Sequence, residues 1–329
     1  MIWAGMFFIV NILFGKTFAG VCSLIIFIIP FLFIKLKKFS ATTFILFLSF
    51  LVSLILRLAF LERATLPSYF DSVEHYRTIK FFLDVSHNNI FAGNVLSFAY
   101  YHVGYHILIS AIISLFNISI VTAMLILGQI VLAILPLPFF FIIKQETNST
   151  LVAFFACFIA GFGLHMPAHV VNWGKYPALL SLFGIQLAFI LGYLILKNGL
   201  KVLQKAKLSW VIFFLLLLTT LIHSRALIVA LGLIVSIFLS LWQKKQSTRI
   251  QYISVIAIIL IFVFEIFYIQ QSPALLPLIT GYAQRDLWFL FLALFLSFFA
   301  IKYFPVSTFF FFRFNFPFCF IVVFTYSTF

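Results

Sequence analysis

Apolar residues in this chain come in long runs, not in the half-polar stripes of a water-soluble helix or strand. Predominantly apolar stretches cover about 17–35, 41–60, 120–143, 151–166, 177–196, 208–222, 226–242, 252–269 and 287–301. A helix needs about 20 residues to cross the hydrocarbon core of a bilayer, and each of these runs crosses it or nearly does. The pattern predicts an all-α polytopic membrane protein with about 9–11 transmembrane helices and a long first outer loop that holds juxtamembrane helices. The opening stretch MIWAGMFFIVNILFG lacks a basic n-region and a small-residue cleavage site, and is expected to be an incomplete span or an interfacial helix. One further run, GYHILISAIISLF at 104–116, has 13 residues and ends at Asn117. It is short for a span and suits a helix lying along the interface.

Composition agrees with the pattern. Of 329 residues, 65% are hydrophobic and 9% charged, with 49 Phe, which excludes a soluble enzyme, a fibrous chain and a disordered one. The 21 Lys and Arg against 7 Asp and Glu give a net charge of +14. In a soluble protein that excess would point to nucleic acid. Here the basic residues sit in short clusters between apolar runs, as the positive-inside rule expects, so no nucleic-acid partner is implied. With 104–116 on the surface and Lys35, Lys37 and Lys38 cytoplasmic, twelve basic residues fall inside and eight outside; with 104–116 as a span, six fall inside and fourteen outside. The first arrangement obeys the rule and the second inverts it. In that orientation all seven histidines and five of the seven acids lie at or beyond the outer face, with Glu146 and Glu265 the exceptions. Ionisable groups are costly in lipid, so a chain this sparing with them is expected to place them where they act. Cys22, Cys157 and Cys319 lie in apolar runs and form neither a disulfide framework nor a metal cluster.

Four stretches of the outer face carry candidate chemistry. In LERATLPSYFDSVEHYRTIKFFLD, four of the seven acids fall within 23 residues, and the part after Pro67 and Ser68 reads as an amphipathic helix with Asp71 near its N-terminus. Asp71, Glu74 and His75, at i, i+3 and i+4, are expected to share a face, as a general base, a divalent metal site (Mg or Mn), or both. The plainer reading makes Asp71 a helix cap and Glu74 a solvated partner of Arg77 or Lys80. YYHVGYH, residues 100–106, contributes His102, Tyr105 and His106 at the head of the interfacial run, where aromatic and His clusters also serve as anchors. HMPAHVVNWGKYPAL concentrates His165, His169, Asn172, Trp173, Lys175 and Tyr176 among the helix breakers Pro167, Gly174 and Pro177. It is either a polar lid over a cavity or an aromatic belt with a snorkelling Lys. LTTLIHSRALIV places His223 and Arg225 in a turn, and Arg285 in GYAQRD is a weaker equivalent; the planar fork of Arg suits phosphate.

The order of these features resembles the GT-C superfamily of integral-membrane glycosyltransferases, which use polyprenyl-phosphate-linked sugars and include protein-mannosyltransferase-like and aminoarabinose-transferase-like members. The shared pattern is a first outer loop with Asp71 followed by His75, a Gly-Tyr-His juxtamembrane helix (Gly104, Tyr105, His106), a basic cytoplasmic turn, an outer Trp-Gly-x-Tyr-Pro turn (Trp173, Gly174, Tyr176, Pro177) and a later outer His (His223). It extends over residues 40–245. The resemblance implies an inverting glycosyl transfer at the extracytoplasmic face of the plasma membrane, with Asp71 as catalytic base on an acceptor hydroxyl of a glycan, lipid or protein. It further implies a lipid-phosphate leaving group held by Arg225, Lys175 and the histidines, and in some relatives a divalent cation for which Glu74 and His75 would serve beside Asp71. Many relatives carry a second acidic residue in a later outer loop, which is not placed here, and a soluble C-terminal domain, which is expected to be missing from this sequence.

Residues 1–306 are expected to form the transmembrane domain. Residues 307–329, with ten Phe in 23 positions and no helical polar pattern, are expected to be either a last span or a truncated or frameshifted end. Two rival classes remain: a transporter or flippase, for which Glu265 within IFVFEIFYI is the best residue, and an O-antigen-type polymerase or ligase that needs outer His and Arg but not Asp71.

Overall fold

The computed structural model describes residues 40–59, 61, 70–84, 102–163, 171, 174–197, 200–224, 226, 227 and 230–234, with isolated positions elsewhere. The runs at 17–35, 252–269 and 287–301, most of 226–242, Glu265 and the segment 307–329 lie outside the described residues apart from such positions. Every regular element among the described residues is helical: α1 Ala41–Ala59, α2 Phe70–Asp84, α3 Gly104–Phe116, α4 Ile120–Ile134, α5 Leu137–Thr147, α6 Thr150–Phe158 with a π-helical continuation Ile159–Gly163, α7 Tyr176–Leu196 and α8 Val202–Ile222. Among the described residues four stretches are long and apolar enough to cross a membrane: α1, the 28 residues of α4 and α5 taken together, α7 and α8. The chain is an all-α polytopic membrane protein. It divides into two compact units, Met1–Phe183 with Leu218–Ser224, and Gly184–Leu217 with Arg225–Phe329, a division that apolar runs do not announce.

Short polar residues set the helix ends. Ser40 Oγ accepts the Thr43 amide at the head of α1, Ser119 Oγ the Thr122 amide before α4, and Ser149 Oγ the Val152 amide before α6, each satisfying a donor that the first turn leaves open. Asn117 and Asn148, at φ 53° and 55°, close α3 and α5 in the left-handed conformation that Asn tolerates better than other side chains. The run expected to be one span at 120–143 is one candidate span, Ile120–Thr147, locally interrupted between α4 and α5 at Leu135 and Pro136, because proline cannot donate to the helix ladder. The run expected from 208 begins at Val202 instead. Lys205 and Lys207 extend the helix beyond its apolar part, since an exposed lysine is compatible with helical backbone even where it cannot enter lipid.

Packing in the first unit is built around α2, α3 and α4. α2 is amphipathic: Ser72, His75, Thr78, Ile79 and Phe82 are buried, while Val73, Glu74, Arg77, Lys80 and Asp84 are exposed. Its inner stripe meets α3, where Tyr105, His106, Ile109 and Ser110 are buried, and Ser110 Oγ donates to the Ile79 carbonyl at 3.4 Å. α3 keeps the bounds read from the sequence, and its 13 residues span about 20 Å, well short of the hydrocarbon thickness. Ile79, Tyr105, Ile109, Met124, Tyr176 and Leu179 form the centre of one core cluster. Gly128 lets α4 approach this centre: an added Cβ would lie 3.0 Å from Tyr176 Cε1. A small residue at a helix contact is the usual way for membrane helices to gain close packing.

Candidate functional site

The N-terminal turn of α2, the head of α3, the turn before α7 and the end of α8 converge within the first unit. Gly174 is the pivot of that convergence. Its φ of +67° is open to glycine at little cost, and its amide donates to the Val171 carbonyl at 2.9 Å. A Cβ there would lie 2.8 Å from the Ser72 backbone nitrogen and closer still to the Ser72 hydroxyl. The turn before α7 is therefore pressed against the first turn of α2, backbone to backbone.

This contact delivers the next residue, Lys175, to Asp71. Lys175 Nζ donates to Asp71 Oδ2 at 3.0 Å, across 104 residues of sequence, with the two side chains 34% and 45% exposed. Partial exposure keeps such a pair weak, worth up to about 1 kcal/mol, so it is open to competition by another anion or cation. Glu74 does not join it. One turn-fraction away on α2, Glu74 faces water and accepts from Arg77 Nη1 at 2.8 Å, both side chains more than 60% exposed. The expectation that Asp71, Glu74 and His75 share one face is corrected on this point: at about 100° per residue Glu74 and His75 point apart, and the helix buries the latter. Among the described residues no three His, Cys, Asp or Glu side chains are grouped to hold a metal ion.

Behind the ion pair lies a buried aromatic and imidazole layer. His75 Nδ1 and His106 Nε2 are 3.0 Å apart, joining α2 to α3, with His75 3% exposed and His106 fully buried. Burial brings His75 down to about 4, helped by His102 and Lys175 and opposed by the Asp71 carboxylate. Burial, with His75 and His102 adding to it, brings His106 down to about 3 against the favourable carbonyls of His102 and Val103. Both rings are thus neutral at pH 7, and the bond between them joins one N–H to one lone pair. Tyr105 meets His75 and His106 edge-on at 5.8 and 5.5 Å and stacks on Tyr176 at 6.4 Å with 9° between planes. The Tyr105 phenol is pushed well above its usual range by burial first and by Tyr176 second, so it stays protonated. The hydroxyls of Ser72, Tyr105 and Tyr176 are buried with no hydrogen-bond partner among the described residues.

The end of α8 completes the group. His102 and His223 pack ring to ring at 4.4 Å, and Ser224 Oγ lies 3.4 Å from His102 Nδ1. The structure therefore brings together Asp71, His75, His102, Tyr105, His106, Lys175, Tyr176 and His223 from the sequence-derived set, and sets Glu74 apart. His165, His169, Asn172, Trp173, Arg225 and Arg285 lie outside the described residues. Sequence reasoning passed over Ser72 and Ser224, small hydroxyls with no motif to mark them; the i−3 spacing of Ser72 from His75 on an amphipathic helix was the available signal for the former.

No curated protein and no solved structure matches the chain. A family model does match, over residues 35–288, from just before α1 to well beyond α8 and through every site residue named above. With well over half of its length covered, the protein belongs to DUF6541, a family of unknown function.

Proposed function

We propose that the protein is a membrane glycosyltransferase that moves a sugar from a polyprenyl-phosphate donor to an acceptor hydroxyl at the extracytoplasmic face of the plasma membrane, with Asp71 as general base. The observation that carries this reading is the 3.0 Å pairing of Asp71 Oδ2 with Lys175 Nζ. It puts a carboxylate from the first loop beside a cation from the Trp-Gly-x-Tyr-Pro turn, the two charges that an inverting transfer from a phosphate leaving group requires.

In the proposed step the acceptor O–H gives its proton to Asp71 as the oxygen bonds to the anomeric carbon. The bond from that carbon to the phosphate oxygen breaks, and the electron pair leaves on the lipid phosphate. Lys175 is placed to receive that charge, because the phosphate carries more negative charge than a single carboxylate and competes for the ammonium. Loss of Lys175 from Asp71 in turn frees Oδ2 to accept a hydrogen bond from the acceptor hydroxyl. The neutral His75–His106 pair holds α2 on α3 and so fixes the direction of Asp71. Tyr105 and Tyr176, stacked in the buried layer behind the pair, support the turn that carries Lys175, and His102 with His223 borders the same group.

The test is sugar transfer from a polyprenyl-phosphate donor in membranes that carry the parent chain or Asp71→Asn. Transfer should fall at least about a hundredfold if the carboxylate is the base. Full activity of Asp71→Asn would refute the assignment, and substrate movement across vesicles that persists in this variant but is lost in Glu265→Gln would favour a transporter.

A further inference from the structure

Arg57 stands two residues before the end of α1, within an apolar helix that reads as a span, and is 9% exposed. An ionisable residue so placed signals function by default, because burying it without a counter-ion is costly. Its Nη2 donates to the Gly161 carbonyl at 2.7 Å, its Nε to Ser53 Oγ at 3.4 Å, and its guanidinium lies 5.1 Å from the centre of the Phe162 ring. Gly161 belongs to the π-helical stretch, whose altered register offsets its carbonyls from the ordinary ladder. These contacts orient the guanidinium but none neutralises it. Among the described residues no carboxylate reaches Arg57, and its remaining N–H groups form a planar fork suited to an oxyanion.

Bordering Ser53 and Phe162, the two side chains that contact Arg57, lies a half-open cavity of about 310 Å³ between α1 on one side and α4, α5, α6 and the π segment on the other. Its walls are almost wholly apolar, with Leu46, Val52, Pro136, Phe140 and Phe158 among them. Ser53 and Phe162, which hold the guanidinium, are part of the same lining. The helices are tied at both ends of this space, by Arg57 to Gly161 at one and by Lys144 Nζ to Thr42 Oγ1 at 3.0 Å at the other. Such ties fix the position of α1 against α5 and the π segment on either side of the space. An apolar space left empty forfeits dispersion contacts along its whole lining, whereas hydrocarbon from the bilayer enters it with no loss of hydration. α1 also carries exposed apolar side chains outside the cavity, Phe44, Phe47 and Ile55, which suit a helix facing lipid.

We propose that this cavity holds one acyl chain of an anionic phospholipid from the surrounding bilayer, with the lipid phosphate gripped by Arg57. The apolar lining takes the chain, and the guanidinium at its end selects for headgroup charge. A zwitterionic lipid offers the same chain, but its phosphate already has a cation beside it, so the preference falls on the anionic species. The site is separate from Asp71 and Lys175 and does not rest on the glycosyl-transfer reading.

Native mass spectrometry of the full-length chain in neutral detergent, titrated with phosphatidylglycerol and phosphatidylcholine of matched chains, tests the proposal. The parent chain should bind phosphatidylglycerol roughly tenfold more tightly, the size expected of one charge-assisted contact. Arg57→Gln should reduce that preference to about twofold or less, Arg57→Lys should retain most of it, and Ser49→Phe, which fills the cavity, should weaken both lipids. Should Arg57→Gln fail to fold, the Arg57→Lys and Ser49→Phe variants still decide. Equal binding of the two lipids, a preference that survives Arg57→Gln, or unchanged binding in Ser49→Phe would overturn the proposal. So would displacement of phosphatidylglycerol by a polyprenyl phosphate added at equal concentration, since the occupant would then be a lipid-linked donor.

Discussion

Replacing Gly174 by alanine tests the contact on which the whole candidate site depends. Two costs add. An L-residue held at φ +67° costs about 1–2 kcal/mol relative to glycine. The new Cβ must also move away from the Ser72 nitrogen, 2.8 Å off, and from the Ser72 hydroxyl, and the nitrogen belongs to helix backbone that cannot rotate aside. Relieving that overlap costs roughly another 1–2 kcal/mol, the usual range for overpacking. A total of about 2–4 kcal/mol should lower the melting temperature in detergent by on the order of 5–10 °C. It should also separate Lys175 from Asp71, so sugar transfer should fall even at temperatures where the fold persists. Adding Ser72→Ala removes the hydroxyl but not the backbone nitrogen, and should recover only part of the loss. If Gly174→Ala melts within about 1 °C of the parent, the turn before α7 does not rest on α2 and the reasoning fails.

The buried imidazoles make stability depend on acid. His75 and His106 have folded values of about 4 and about 3 against 6.5 when exposed, so the unfolded chain binds protons first as pH falls. Stability should be flat above pH about 6.5 and should decline below it by up to about 1.4 kcal/mol per ring per pH unit until the folded values are reached. Melting curves between pH 7.5 and about 4.5 check this, and His106→Asn should flatten the slope. Glu74→Gln removes an exposed pair and should change stability by less than about 0.5 kcal/mol while leaving transfer intact, the opposite of Asp71→Asn. Tyr105→Phe deletes a buried hydroxyl that has no hydrogen-bond partner among the described residues, and should be neutral or raise stability by up to about 1 kcal/mol; a loss of more than that would show that the hydroxyl is bonded.

Much of the helical framework was legible because lipid imposes it. A run such as 177–196 must hydrogen-bond its own backbone within the bilayer, so apolar length alone forecasts a helix, and Tyr176–Leu196 is one. α2 and α3 were legible for a different reason, since the spacing of polar residues and the stops at Pro67 and Asn117 mark an amphipathic helix and a short apolar one. Where reading failed, the cause was rotational. On α2 the sequence gives Glu74 and His75 equal claim to sit beside Asp71, because i+3 and i+4 both neighbour i on a helix. Only the packing of α3 against the stripe from Ser72 to Phe82 decided that His75 turns in and Glu74 turns out. Arg57 was likewise legible only as a charge at a helix end; its place beside an apolar cavity depends on α6 ending in a π turn that exposes the Gly161 carbonyl.

By itself, then, the sequence determined class and inventory: an all-α membrane protein, its helices, and a small stock of ionisable residues gathered between them. Those properties are local, set by solvation of each segment's own backbone and side chains. Which of the ionisable residues meet was decided by tertiary structure alone. Asp71 and Lys175, 104 residues apart, come within 3.0 Å because a glycine at positive φ lets one backbone lie against another, and a contact between two distant backbones has no periodicity that one chain segment can display.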